Sequence, residues 1–271
     1  MNISEMNNRR FTCDYPENSR IKKSIVNGNT KTVTFEFADG STVEHPFLVN
    51  NYFGEYSSVY MHQYGVNISE DGLLYFLHGW YKCGGLGCYE VDTGKLRWRI
   101  GIKHARVAFV DGAYIYCSFY EYGFAKILIE TGEIVKRYPT QGGEFFKINE
   151  FFLAPVQRGY FRLINKEFET VYKIPSSEIE QCFPFVDSIV LTGEILTISY
   201  RFHTAEDKKL NKEIYQMWIE SNKDDKIAKE MIAKIAAERG VPVENYFKHG
   251  GSISTPGTKT IDISPYRCGK V

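Results

Sequence analysis

The feature that most constrains this 271-residue chain is a unit written twice, first from Asp71 and again from Asp111. The first copy reads Asp71-Gly72-Leu73-Leu74-Tyr75-Phe76-Leu77 and, after a break, Cys88-Tyr89-Glu90-Val91-Asp92-Thr93-Gly94-Lys95-Leu96-Arg97-Trp98. The second reads Asp111-Gly112-Ala113-Tyr114-Ile115-Tyr116-Cys117, then Lys126-Ile127-Leu128-Ile129-Glu130-Thr131-Gly132-Glu133-Ile134-Val135-Lys136. Gly72 and Gly112 are 40 residues apart, Gly94 and Gly132 are 38 apart. Each copy is an aromatic-rich strand, a break, a second strand, a Thr-Gly turn and a third strand. Glycine recurs because the residue closing so short a hairpin sits in the left-handed region, which costs a residue with a Cβ most. A period near 40 is that of repeated antiparallel sheets, and one such unit buries too little alone, so the copies must stack.

The unit fades along the chain. Phe151–Ala154, a break at Gln157-Arg158-Gly159, Tyr160–Ile164, a turn at Asn165-Lys166-Glu167 and Thr170–Ile174 form a third copy. A partial fourth begins at Asp187, with Thr192-Gly193-Glu194 read as its Thr-Gly turn and Ile195–Tyr200 as the strand after it. Upstream, Lys31–Phe37 and Thr42–His45 alternate around Asp39-Gly40, a strong hairpin signal. Residues 1–25 are polar and read as a lead-in, and 26–203 as the β-repeat domain. Near Ala205 the apolar period changes from 2 to 3.6: Leu210, Ile214, Met217 and Trp218 form one stripe, and Ile227, Met231, Ile232 and Ile235 a second. Ser221 with Asp224 reads as the second helix's capping arrangement, and Gly240 with Pro242 as its stop. Residues 204–271 are thus a helical hairpin and a tail, with a short strand at Thr260–Ile263. The fold class expected is mainly β, an antiparallel propeller-like repeat array with a C-terminal helical hairpin.

The segment Cys88–Trp98 resembles the PQQ-like repeat of quinoprotein-type β-propellers, in which an apolar strand enters an acidic Thr-Gly turn and the next strand ends in Trp. Asp71–Phe76 resembles the strand before it. The second copy keeps the turn at Glu130-Thr131-Gly132 and puts Lys136 where the Trp would stand. The resemblance implies a blade-like sheet. The family's cofactor contacts match no residues here, so no cofactor is expected. At this period about 200 residues hold fewer than six blades, which predicts a smaller or irregular array.

Lys+Arg and Asp+Glu both number 33. Zero net charge lends no support to nucleic acid or an anionic membrane as partner. The start of the chain shows no apolar signal core, and no apolar run nears the roughly 20 residues a membrane helix needs. The chain reads as soluble and cytoplasmic. Cys83 and Cys88 flank a Gly-rich loop near His78, an arrangement that pictures a metal clip. Zinc wants four ligands and no second pair follows, so no metal is expected. His249-Gly250-Gly251 resembles an esterase oxyanion segment, but no G-x-S-x-G elbow accompanies it.

No catalytic constellation emerges, and the chain reads as a non-enzyme. The loops between the first two strands of each repeat hold Trp80, Tyr81, Tyr120, Tyr122 and Arg158, residue types that make binding hot spots. They are the expected partner-binding residues. The function expected is a non-catalytic soluble protein-binding module, in its concrete form an immunity-type protein neutralising a toxin. The contrasting expectation is an enzyme or small-ligand binder with His104, Arg106 and Tyr120 at the mouth of the array.

Overall fold

A computed structural model of the chain describes residues 10–27, 30, 32–46, 66–78, 86–101, 105–119, 123–140, 145–240, 242–243 and 252–269. These residues build five antiparallel sheets, each a meander in chain order. The first comprises β1 (Arg10–Asp14), β2 (Ile21–Asn27), β3 (Thr32–Phe37) and β4 (Thr42–Pro46). The second comprises β5 (Asn67–Ile68), β6 (Leu74–His78), β7 (Leu86–Glu90) and β8 (Leu96–Ile100), and the third β9 (Ala105–Asp111), β10 (Tyr114–Phe119), β11 (Gly123–Leu128) and β12 (Ile134–Tyr138). The fourth holds β13 (Phe146–Ile148), β14 (Phe151–Gln157), β15 (Tyr160–Ile164) and β16 (Thr170–Pro175). The fifth holds β17 (Val186–Thr192), β18 (Ile195–Phe202) and β19 (Thr255–Asp262). The helices are a single turn α1 (Ser176–Ile179), then α2 (Ala205–Glu220) and α3 (Asp225–Glu238), with 3-10 turns at Glu180–Phe185 and Ser264–Tyr266. The protein is mainly β, a propeller-like series of antiparallel sheets with a helical hairpin.

Two compact units divide the chain. One comprises Met1–Lys147, Phe152–Gln157 and Ile164–Glu169; the other comprises Ile148–Phe151, Arg158–Leu163 and Thr170–Val271.

In the first unit the second and third sheets are buried on both faces. Tyr75 and Leu77 of β6 join Ile21, Val26, Val33 and Phe35 of the first sheet. Phe76, between them, points the other way into Ile115, Cys117, Ala125 and Ile127 of the third sheet. Successive residues of a strand face opposite sides, so a strand buried twice is apolar at every position. That is why Leu74–Leu77 runs unbroken where a half-exposed strand would alternate. The third sheet repeats the arrangement: Tyr116 turns from that cluster to Phe124, Phe145, Phe152 and Phe168. Burying each such side chain contributes about 1.5–3 kcal/mol.

Turns hold neighbouring sheets of this unit together. Trp98 on β8 donates its indole N–H to the Ile129 carbonyl at 2.6 Å and lies against Gly132. His45 on β4 stands 2.5 Å from the Val91 carbonyl through Nε2 and lies against Gly94. Arg20 reaches the Gly72 carbonyl at 3.1 Å and the Asp92 carboxylate at 2.5 Å. Glu70 accepts the Gly112 N–H at 2.7 Å, and Asp111 pairs with Lys166.

Several expectations are corrected. The polar lead-in contains β1 and most of β2, which complete a four-stranded sheet with the Asp39-Gly40 hairpin. Thr192-Gly193 is the turn between β17 and β18, the first turn of its sheet, and therefore the counterpart of Asp71-Gly72 rather than Thr93-Gly94. The strand placed at Thr260–Ile263 is eight residues long, begins at Thr255 and pairs with β18 throughout. The helical hairpin is thus an insertion between two paired strands. Asp224 caps α3 itself, accepting from the Lys226 N–H at 2.8 Å, while Ser221 ends α2.

Candidate interaction surfaces

The helical insertion is built from its base outward. β18 and β19 are neighbours in register from Phe202↔Thr255 to Ile195↔Asp262, so the chain leaves the sheet and re-enters it at one place. Asn211 clamps that base, giving its amide N–H to the Ile253 carbonyl at 2.8 Å and accepting the Ile253 N–H at 2.7 Å. Ser252 Oγ and His203 Nε2 meet at 3.2 Å beside it.

Asp207 joins three segments. Thr204 and Asp207 form a reciprocal capping box at the start of α2, at 3.0 and 2.9 Å. The same carboxylate accepts from Arg239 just beyond α3 at 2.6 Å and from the Thr255 hydroxyl of β19 at 2.8 Å. Burial alone would raise the Asp207 carboxyl. The Arg239 guanidinium, with bonds from Thr204 and Thr255, overcomes this and holds it at about 2. A buried carboxylate so fully bonded is a fixed anchor.

The hairpin core is closed by Ile214, Ile232, Ile235, Ala236 and Ile253, with Leu210 and Met231 packed against them. Other apolar side chains of α2 stay outside it: Tyr215 is 59% exposed, Ile219 42% and Met217 38%. Sequence placed Met217 in the buried stripe; it lies outside the hairpin core. Trp218 is half-buried, its ring centroid 5.9 Å from that of Tyr215, with its indole N–H on Asp225 at 3.0 Å. Lys208 and Lys212 are exposed, and helical spacing puts both on the side of Tyr215 and Ile219. Lys223 stands 5.8 Å above the Trp218 ring. The sequence held a signal for this face: Tyr215 and Ile219 follow Ile214 and Trp218 by one residue each, widening the apolar stripe beyond what one packed face needs.

Of the residues expected to bind a partner, Trp80, Tyr81, Tyr120 and Tyr122 lie outside the described residues. Arg158 is described: with Gly159 it forms the two-residue turn between β14 and β15, exposed, at φ 56° against 79° for the glycine. Two positive φ values suit the twist of a tight hairpin, yet favour Gly or Asn over Arg. Tyr160, which the sequence reading did not single out, follows it at the surface. Of the alternative set, His104 and Tyr120 lie outside the described residues, and of Arg106 only the backbone, in β9, is described.

Among the described residues, other chemically suggestive groups have structural surroundings. Cys83 lies outside the described residues, and Cys88 is buried, its thiol pushed up to about 12 by burial. Burial raises the Cys117 and Cys182 thiols as well. No group of three or more His, Cys, Asp or Glu side chains converges on a cation position among the described residues. Lys126 is buried with its Nζ 2.7 Å from Glu167 and 4.4 Å from the centroid of the Tyr114 ring. Burial works against its charge, and the Glu167 carboxylate more than restores it, so Lys126 stays a protonated tie. An open depression of about 410 Å³ is lined by Arg20, Phe37, Ala38, Asp39, Ser41 and Asp92, where Arg20 and Asp92 are already paired.

Neither a protein-family model nor a curated protein sequence matches this chain. Among solved structures, BamB from Moraxella catarrhalis aligns over 67% of this chain and 53% of its own, at 12% identity and a TM-score of 0.41. KlHsv2 with loop 6CD replaced by a Gly-Ser linker aligns over 49% of this chain and 43% of its own, at 11% identity and a TM-score of 0.32. The chain thus spans about half the length of the BamB chain it matches. At these scores neither likeness carries a function across. No helix among the described residues is long and apolar enough to cross a membrane.

Proposed function

We propose that this chain is a non-catalytic module that binds another protein, and that the bound surface includes the Tyr215, Trp218 and Ile219 face of α2. The observation that carries the reading is apolar excess: the hairpin closes its core with Ile214, Ile232 and Ile235 while Tyr215, Met217 and Ile219 remain outside. Large side chains left out of a completed core mark contact sites when they cluster. Lys208, Lys212 and Lys223 on the same side select a partner that presents an apolar segment bordered by acids. Trp80, Tyr81, Tyr120, Tyr122 and Arg158 are further contact residues we propose, each on its own. An immunity-type role, in which the chain neutralises a toxin by covering it, is the concrete case.

The test is recovery of a defined partner from the native host by the full chain, followed by titration of that purified partner. Tyr215→Ala with Ile219→Ala is expected to weaken binding at least about 100-fold, as for paired hot-spot residues, while Lys234→Ala leaves it unchanged. Equal affinity for all three proteins removes the α2 face from the reading. A partner that does not harm cells when expressed alone removes the toxin case.

A further inference from the structure

Among the described residues four sheets have four strands and the fifth has three. In the first three sheets the third strand is paired on its outer side: β3 with β4, β7 with β8 and β11 with β12. β19 is third in its own sheet, and no described strand lies along its other side. The ladder that holds it is long and regular, eight consecutive pairs with β18 and no register shift. β19 therefore offers a straight edge on which alternate N–H and C=O groups point outward. Natural edges are blunted by bulges, prolines and charges. Here Pro256 guards only the second position, and from Gly257 to Asp262 the edge is Gly-Thr-Lys-Thr-Ile-Asp.

We propose that the outer edge of β19 is a strand-addition site, which takes an extended segment of a partner polypeptide as the fourth strand of this sheet. The other sheets define the occupant's conformation, since each is completed by a strand. The two faces of β19 define its side chains. Pro256, Thr258, Thr260 and Asp262 are exposed, whereas Gly257 and Lys259 are half-buried and Ile261 is buried. The incoming strand alternates accordingly: polar residues beside Thr258 and Thr260, an aliphatic residue beside Ile261, and an acid opposite Lys259. Main-chain hydrogen bonds supply affinity in this mode and the alternating side chains supply specificity. The site is separate from the α2 face and does not depend on it.

The probe is a synthetic peptide, Thr-Val-Thr-Glu-Thr-Val, which puts Glu and Val on one face and Thr on the other, added to the full chain, with the same peptide N-methylated at alternate backbone nitrogens as control. Amide hydrogen exchange is followed residue by residue. The expected result is that the free chain exchanges alternate amides of Gly257–Asp262 rapidly, and that the peptide slows them at least about tenfold. The N-methylated control leaves them unchanged. Thr258→Lys with Thr260→Lys, which places charge on the edge without touching the β18 ladder, abolishes the protection while thermal unfolding is retained. Three results overturn the proposal: amides already protected in the free chain at all concentrations, which assigns the edge to other residues of this chain; protection that rises with protein concentration alone, which assigns it to a second copy; or equal protection by both peptides. Undiminished partner binding by Tyr215→Ala with Ile219→Ala, with the β19 result intact, would sink only the α2 reading.

Discussion

The indole of Trp98 occupies the space above Gly132 so closely that a Cβ built there would stand 2.7 Å from two ring carbons. Gly132 also has φ 76°, so an alanine would meet both a clash and a disfavoured backbone. The left-handed conformation costs a non-glycine about 1–2 kcal/mol and overpacking about 1–3 kcal/mol. Gly132→Ala is therefore expected to destabilise the protein by about 2–4 kcal/mol in urea unfolding. Trp98→Phe removes the N–H donated to Ile129 together with part of the packed indole, costing about 1–3 kcal/mol. A Gly132→Ala loss no larger than the backbone strain alone, about 1–2 kcal/mol, would contradict the contact.

His45 and Gly94 repeat this relationship one sheet earlier, with a Cβ on Gly94 placed 2.6 Å from the imidazole Nδ1. The Val91 carbonyl can only accept, so His45 carries its proton on Nε2. A double-mutant cycle separates the two penalties at Gly94. Gly94→Ala is expected to cost about 2–4 kcal/mol in the native background and about 1–2 kcal/mol in His45→Ala, where only the φ 67° strain remains. Additive losses would show that the imidazole does not constrain the turn.

The same pair explains what sequence could and could not reveal. Thr93-Gly94 and Thr131-Gly132 were legible because a left-handed turn residue leaves a composition mark. The ring that packs on each glycine lies in the preceding sheet, and in one case it is a histidine, so spacing alone gives no sign of it. In the third copy the turn is closed by Phe168 at φ 59°, a buried residue, which hides the turn from any search for glycine. β2 was missed for a related reason. Its register shifts between Ile21 and Lys23, so the buried Ile21, Ser24 and Val26 do not alternate. β19 was read short because an insertion of 52 residues, 203–254, separates it from its partner strand β18. On the candidate surface, Tyr215 and Ile219 were readable as surplus apolar positions. Whether Met217 joined the buried core depended on α3 and Ile253, which the α2 period does not encode.

Asp207 makes the helical insertion sensitive to acid. Its folded value of about 2 lies below the ordinary 3.8, so the folded state holds the carboxylate in preference to the acid. The contribution is complete above about pH 5, declines as pH falls through the unfolded value, and is gone below about 2. Its size is about 2 kcal/mol by linkage. Urea unfolding from pH 6 to pH 2 is expected to show that loss in the native protein. Asp207→Asn should be less stable at pH 6 by about 3 kcal/mol, because Arg239 loses its buried partner, and should show a flatter profile. Parallel profiles for the two proteins would exclude Asp207 as the acid-sensitive group.

Arg158 separates stability from binding in a single substitution. At φ 56° it holds a conformation that glycine adopts without strain, and the neighbouring Gly159 carbonyl is tied to the Ser176 N–H at 2.9 Å, so the turn has a fixed shape to keep. Relief of strain, less the extra chain entropy of glycine, gives Arg158→Gly an expected gain of about 0.5–1 kcal/mol in thermal or urea unfolding. On the proposed function, Arg158 occupies this strained position for its side chain. The same variant is therefore expected to bind the partner at least about tenfold more weakly, with Arg158→Lys recovering only part of the loss because the planar guanidinium fork is not replaced. Greater stability with undiminished affinity would remove Arg158 from the contact surface and leave its strained turn without a functional reason.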